Sequence, residues 1–332
     1  MTSSWTSVRP IRFRKQIFDA LLFLVQKGQV NISELADQML DLRRRRDGAR
    51  LLSTRKRIAL GRRTKRGKQP YLTLTEQFVR ILRATSLITV NKEIIAVTLP
   101  ARELVNEYRR DELKADRIFL ERLLNSRYRT YLLYLKQLFK SKKIFIPRIY
   151  SKRGHNLKSY IKTIGFPTTV WSFYILRDFF YEFALLNYAI DEKGEEIFPL
   201  YTMDAEEKKE YEVEIRTSEE HVYYWKRVSL DKFKTRLAET YFKIAGNWDA
   251  IIELIKLREM VSKSMLISER QFDHLLSETM RNKDGSRIHL SIGAMRQFDK
   301  KGYLTKVESL PASKEGYPFT LIRLSSPGAT YD

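Results

Sequence analysis

The sequence predicts a mainly α fold with short β-hairpins, built from modules that repeat one order of elements. Three observations predict it. Apolar residues recur at helical spacing through most of the chain, short β-branched or aromatic runs follow the helices in pairs, and Gly, Ser or Thr stands at the junctions. At 332 residues and 43% hydrophobic content, the chain is long enough for two or three domains and apolar enough to bury real cores.

The first module begins with Arg12 to Gln26, where Phe13, Ile17, Leu21 and Leu24 share one helical face. Gly28 stops that helix. Val30 to Ile32 supplies a short strand, and Ser33 is expected to cap a second helix through about Leu42. A basic tract interrupts. Thr73 or Thr75 then caps a third helix containing TEQFVRILRA, with Phe78, Ile81 and Leu82 inward. Ser86 to Val90 and Glu93 to Thr98 flank Asn91-Lys92, which reads as a tight hairpin turn. Three helices followed by a hairpin is the winged-helix order.

The C-terminal end repeats it. Trp248 to Val261 reads as an amphipathic helix, Met265 to Ile267 as a short strand, and Ser268 as the cap of a helix to about Arg281. Ile288 to Leu290 leads into SIGAMRQFDKKG, a helix capped by Ser291 and stopped by Gly302. Tyr303 to Glu308 and Phe319 to Leu324 are the expected wing strands. A fainter middle copy runs through helices Tyr128 to Phe139, Asn156 to Ile164 and Thr169 to about Leu186. Its strands are Lys143 to Ile146, Tyr188 to Ile190 and Ile197 to Tyr201. Arg102 to Leu123 and Val228 to Ile244 read as connecting helices. The expected fold is thus tandem winged-helix modules joined by helices. Its domains are 1–100, with a basic arm inserted at 43–70; 101–227, a helical linker plus a divergent middle copy; and 228–332.

Charge points to the partner. Lys and Arg number 62 against 40 Asp and Glu, a net charge of +22. Such an excess repels itself in a compact chain unless a polyanion neutralises it. It is also uneven: residues 43–70 hold thirteen bases against the single Asp47, while 191–220 hold twelve acids against four bases. The arm supplies Arg43, Arg44, Arg45, Arg46, Arg50, Arg55, Lys56, Arg57, Arg62, Arg63, Lys65, Arg66 and Lys68 as backbone contacts. On the two candidate recognition helices, Gln77, Arg80 and Arg83, and Arg296, Gln297 and Lys300, lie opposite the apolar faces and are candidate groove contacts. The acidic segment would repel phosphate and suits a protein contact instead.

Other chemistries find little support. The chain has no cysteine, which excludes disulfides and thiolate metal sites. His155, His221, His274 and His289 are scattered singly. Asp204 with Glu212, Glu214 and Arg216 is the nearest approach to a metal-dependent nuclease site, and GRRTKRGKQ at 61–69 departs from a phosphate-binding loop in spacing and in its last residue. The apolar run from Val170 to Ile190 is broken by Arg177, Asp178 and Glu182, so it reads as a buried helix rather than a membrane span. Trp171, Phe173, Phe179, Phe180 and Phe183, with Tyr128, Tyr131 and Tyr134, read as core.

The stretch VTLPARELVNEY, followed by an acidic–basic helix and a second winged helix, resembles the tandem winged-helix recognition region of type IIS restriction endonucleases. That resemblance implies DNA recognition, and with it a restriction or antiviral role; the nuclease domain of those enzymes is not evident in this chain. The expectation is a non-enzymatic, cytoplasmic (or, in a nucleated cell, nuclear) subunit with no cofactor. It would bind double-stranded DNA for a partner nuclease, ATPase or methyltransferase. A stand-alone transcriptional regulator and an RNA-binding ribonucleoprotein component are the alternatives.

Overall fold

The computed structural model describes residues 14–39, 70–148, 154–166, 168–281, 288–291 and 319–325. Within them the chain is mainly helical, with small three-stranded sheets. By packing it divides into two compact units: Met1–Ser141, Arg153–Phe179 and Glu214–Val222 form the first, and Lys142–Lys152, Phe180–Val213 and Tyr223–Asp332 the second. This division runs through the middle copy rather than along boundaries at 100 and 227.

In the first unit, α1 (Arg14–Lys27) buries Ile17, Phe18, Ala20, Leu21 and Leu24. It ends where Gly28 takes φ 77° and its N–H donates to the Leu24 carbonyl at 2.8 Å. β1 (Gln29–Asn31) and α2, over residues 32–39, follow. The cap of α2 is Asn31, whose Oδ1 accepts the Ser33 N–H at 3.0 Å. The expected Ser33 cap is corrected by two residues, because the strand brings an equally good acceptor to the helix start. α3 (Pro70–Ala84) opens on a proline, which has no N–H to leave unsatisfied. Thr75, expected as a possible cap, lies inside this helix and is buried. β2 (Ile88–Asn91) and β3 (Ile94–Val97) pair antiparallel, and Asn91 faces Ile94. The turn is therefore Lys92-Glu93, one residue beyond the expected pair, with Lys92 at φ 54°.

A single helix was expected next; two are found. α4 (Leu99–Arg110) and α5 (Glu112–Leu124) meet at Asp111, whose extended backbone (φ −148°, ψ 97°) breaks the first. The Asp111 side chain caps the second by accepting the Lys114 N–H at 3.0 Å. Buried Arg14 anchors α1 here: its Nε donates to Asp116 Oδ1, and its Nη2 lies 2.9 Å from Glu112 Oε2. The Phe18 and Tyr108 rings stack at 4.1 Å beside it. α6 (Thr130–Ser141), α7 (Gly154–Thr163) and α8 (Val170–Glu182) follow. Tyr134 meets Phe166 and Phe173 at 4.9 and 5.6 Å, and Tyr131 meets Phe179 at 5.2 Å. Tyr131, Tyr134, Phe173, Phe179, Phe180 and Phe183 are core as expected, Tyr128 is half-buried, and the Trp171 side chain lies outside those described. Arg177 and Asp178 pair with each other inside α8. The expected helix end near Leu186 moves back, since Ala184 adopts φ 62° and turns the chain into a strand.

In the second unit, β4 (Ile144–Pro147), β5 (Leu186–Ile190) and β6 (Gly194–Pro199) form one sheet. The acidic segment continues as β7 (Tyr201–Thr202), a single 3-10 turn at Glu207–Glu210 and β8 (Tyr211–Arg216), then β9 (His221–Lys226), of which Glu214–Val222 belongs to the first unit. These strands were not expected in so polar a stretch; alternation with Val213 and Ile215 is enough for a half-buried strand.

The last copy is α9 (Leu230–Ala245), β10 (Ile252–Glu253), α10 (Leu254–Met265), α11 (Glu269–Arg281), β11 (Ile288–Ser291) and β12 (Leu321–Leu324). Phe233, Leu237 and Tyr241 of α9 share one core with Leu257, Phe272, Ile288 and Ile322. So α9 is the first helix of this copy and not a connector. The helix expected from Trp248 begins six residues later, because Ile252 and Glu253 pair with Ile322 and Leu321 as a strand. Met265 to Ile267 is a helix end and turn, not a strand. Ser268 caps α11 as expected, its Oγ accepting the Gln271 N–H at 2.9 Å.

One order thus recurs three times: helix, strand, helix, helix, strand, strand. In each copy the last strand sits at the centre of its sheet, giving β1-β3-β2, β4-β6-β5 and β10-β12-β11. Among the described residues, no helix is long and apolar enough to cross a membrane.

Candidate nucleic-acid interface

The three copies differ in what their third helix leaves open. α3 buries Phe78, Val79, Ile81 and Leu82. Arg80 and Arg83 stand exposed on its other side, three residues apart and hence neighbours. Neither is held in an ion pair among the described residues. The side chain of Gln77, the third candidate on this helix, is not among those described. The following hairpin ends in exposed Asn91, Lys92, Glu93 and Ile94, with Ile94 51% exposed. Two outward arginines and an exposed hairpin tip that offers Lys92 and an apolar Ile94, in one module, can meet a phosphate backbone and an adjoining groove.

α8 has no such face. Every residue from Ser172 to Tyr181 is buried.

α11 is covered at its N-terminal end. Glu269 and Gln271 are 1% and 3% exposed. Glu269 Oε2 accepts the Tyr181 hydroxyl at 2.7 Å and lies 2.9 Å from Arg258 Nη2, and the Gln271 amide donates to the Lys226 carbonyl. Arg270 is set over the Trp225 ring at 5.8 Å. Sequence reading had placed the third helix of this copy at 291–302. In the observed order that segment falls between the paired β11 and β12, and Arg296, Gln297 and Lys300 lie outside the described residues. The signal for the correct assignment was the helix at Val228 to Ile244, which completes three helices before the Ile288 strand.

The arm candidates, Arg43, Arg44, Arg45, Arg46, Arg50, Arg55, Lys56, Arg57, Arg62, Arg63, Lys65, Arg66 and Lys68, also lie outside the described residues.

Several carboxylates of the acidic segment are engaged within the chain. Glu196 bridges Lys143 at 2.8 Å and Lys263 at 2.7 Å, and these hydrogen bonds hold it below the usual carboxylate range. Glu219 takes Arg129 and Lys136, and Glu220 takes Lys136 at 3.0 Å. Glu214, one of the candidate nuclease carboxylates, lies 2.6 Å from His221 Nδ1 and 3.0 Å from Arg216 Nη2, and is lowered by the His221 contact first. Asp204 instead caps a turn through the Glu206 N–H at 2.9 Å. Among the described residues no group of three His, Asp or Glu is placed to hold a metal ion.

Comparison with family models, curated proteins and solved structures returns no match for this chain.

Proposed function

We propose that this chain binds double-stranded DNA through winged-helix modules, and that the first of the three does the reading. α3 would enter the major groove, and the β2–β3 hairpin would act as the wing on the backbone. The observation that carries this is the contrast between third helices. The plan recurs three times: α8 is buried from Ser172 to Tyr181 and α11 is covered at its N-terminal end, whereas α3 keeps an open face that carries Arg80 and Arg83. The net charge of +22 supports a polyanionic partner. In this reading the arm at 43–70 lies along the phosphates beside the first module. The second and third modules serve as a scaffold, and any cutting, pumping or methylation belongs to a protein partner in a restriction-type or similar assembly.

Binding of the full chain to a labelled 30-base-pair duplex, titrated against salt, tests the reading. Arg80→Ala and Arg83→Ala each lower affinity. A base contact costs about 1–3 kcal/mol and relaxes sequence preference, whereas a phosphate contact reduces the salt slope by about one. Equal affinity for the double variant and the parent would overturn the assignment of α3. Tighter binding to a matched RNA duplex would move the chain to a ribonucleoprotein role, because A-form RNA closes its major groove to a helix.

A further inference from the structure

The third module carries a cleft of about 420 Å³ that α9 shares with the turn between α10 and α11. Lys226, Arg227, Lys232 and Arg236 line it, and Glu239 is the one carboxylate among its lining residues. Two of the cations are steadied at the rim. Arg227 Nε donates to the Tyr211 carbonyl at 3.1 Å, and Arg236 Nη1 lies 3.1 Å from Glu239 Oε2. Lys226 stands 3.9 Å from Glu210, and Lys232 is exposed with no ion pair among the described residues. The cleft is therefore positive even after its internal acids are counted. Val228, Met265 and Leu266 give it an aliphatic side.

Leu266 forms part of the aliphatic side. It occupies the left-handed region (φ 53°, ψ 50°) at the end of α10, yet its side chain is 55% exposed, so burial does not offset the strain. The middle copy supplies an internal comparison. There the second helix ends in the same turn: the Phe166 N–H reaches the Ile161 carbonyl at 3.0 Å, as the Ile267 N–H reaches Ser262 at 3.1 Å. The residue at the left-handed position in that copy is Gly165, at φ 85°, the residue that such a helix end favours. α3 and α8 close with the same turn on Ser86 (φ 59°) and Ala184 (φ 62°), so the backbone is not peculiar to Leu266; what Leu266 adds is an exposed apolar side chain at the mouth of a basic cleft.

We infer that this cleft seats the phosphodiester backbone of nucleic acid, with the cations on a phosphate and Leu266 against the adjoining sugar. The inference rests on the nucleic-acid reading above and adds a second contact point, on the module whose third helix is covered at its N-terminal end. The test uses the full chain, the labelled duplex and a salt titration. Lys232→Ala with Arg236→Ala lowers affinity at least tenfold and reduces the salt slope by about two. Both side chains are exposed, so the melting temperature is expected to hold. Leu266→Gly raises the melting temperature and weakens binding, since it relieves the backbone and removes the contact. A parent that binds duplex with a steep salt slope, beside a double variant of unchanged affinity and slope, would sink the cleft and leave the DNA reading standing. A parent that binds no nucleic acid removes both. Protection of the cleft by a 5′-mononucleotide, with duplex binding unaffected by the variants, reassigns it to a soluble phosphate ester and overturns the inference.

Discussion

Arg258 is fully buried between two carboxylates, with Nη2 2.9 Å from Glu269 and Nη1 2.9 Å from Asp273. One guanidinium cannot neutralise two carboxylates, so one of them favours its proton. The Tyr181 hydroxyl donates to Glu269, whereas Asp273 Oδ1 has no hydrogen-bond partner among the described residues. Asp273 takes the proton: burial pushes it up to about 7 from 3.8, against the pull of Arg258. Between those values the folded chain holds a proton that the unfolded chain has released. Stability therefore falls as pH rises from about 4 to 7 and is level above that. Asp273→Asn, close in shape to the protonated acid, should flatten this dependence and raise stability at pH 8 by a few kcal/mol. Denaturant melts of both proteins at pH 5 and pH 8 measure it, and parallel pH curves would refute the protonated state. Arg14 makes the opposite case. Its loss strands Asp116, which is 0% exposed, so Arg14→Leu should cost about 3–5 kcal/mol. Neither network was legible in the sequence. Arg14 and Asp116 are 102 residues apart, and each looks locally like one more surface charge on a charged helix.

At the scale of elements, helices with clear apolar faces were legible to within a few residues, because the 3.6-residue period carries over ten or more positions. What failed was short. β10 is two residues long, and Ile251, Ile252 and Leu254 satisfy a helical as well as an extended pattern, so periodicity could not separate a strand from the start of α10. Only the pairing of Ile252 with Ile322, seventy residues on, decides it. That one ambiguity shifted the order of the C-terminal copy, in which α11 and not the segment 291–302 stands third among the helices. The middle sheet offers a sharper test of an element. A Cβ at Gly194 would stand 2.2 Å from the Ile146 carbonyl oxygen, where β6 crosses β4. Gly194→Ala must therefore push two backbones apart, and a loss of about 1–3 kcal/mol in urea unfolding is expected. An unchanged midpoint would show that the β4 edge yields freely.

For the molecule as a whole, charge and architecture coincide at the N-terminal end. Residues 1–125 carry twenty-seven Lys and Arg against thirteen Asp and Glu, a net of +14, and the remaining 207 residues carry the other +8. The first copy with α4 and α5 also has its own core: Ile17, Phe18, Leu21, Phe78, Leu82, Leu104, Phe119 and Leu120 are all buried, and the Arg14–Asp116 pair closes it from within. A fragment ending at Asn125 is therefore expected to fold cooperatively by itself. It should still bind duplex, about tenfold more weakly than the full chain for want of the cleft on α9, with a salt slope at least two-thirds as steep, because both the arm and α3 belong to it. The complementary fragment, 126–332, should bind duplex at least tenfold more weakly and mainly through the cleft on α9. Circular dichroism melting and fluorescence anisotropy on the two fragments decide the matter. If the C-terminal fragment kept the affinity, the covered N-terminal end of α11 would no longer explain where DNA is read, and the open arginines of α3 would be ordinary solvated charges.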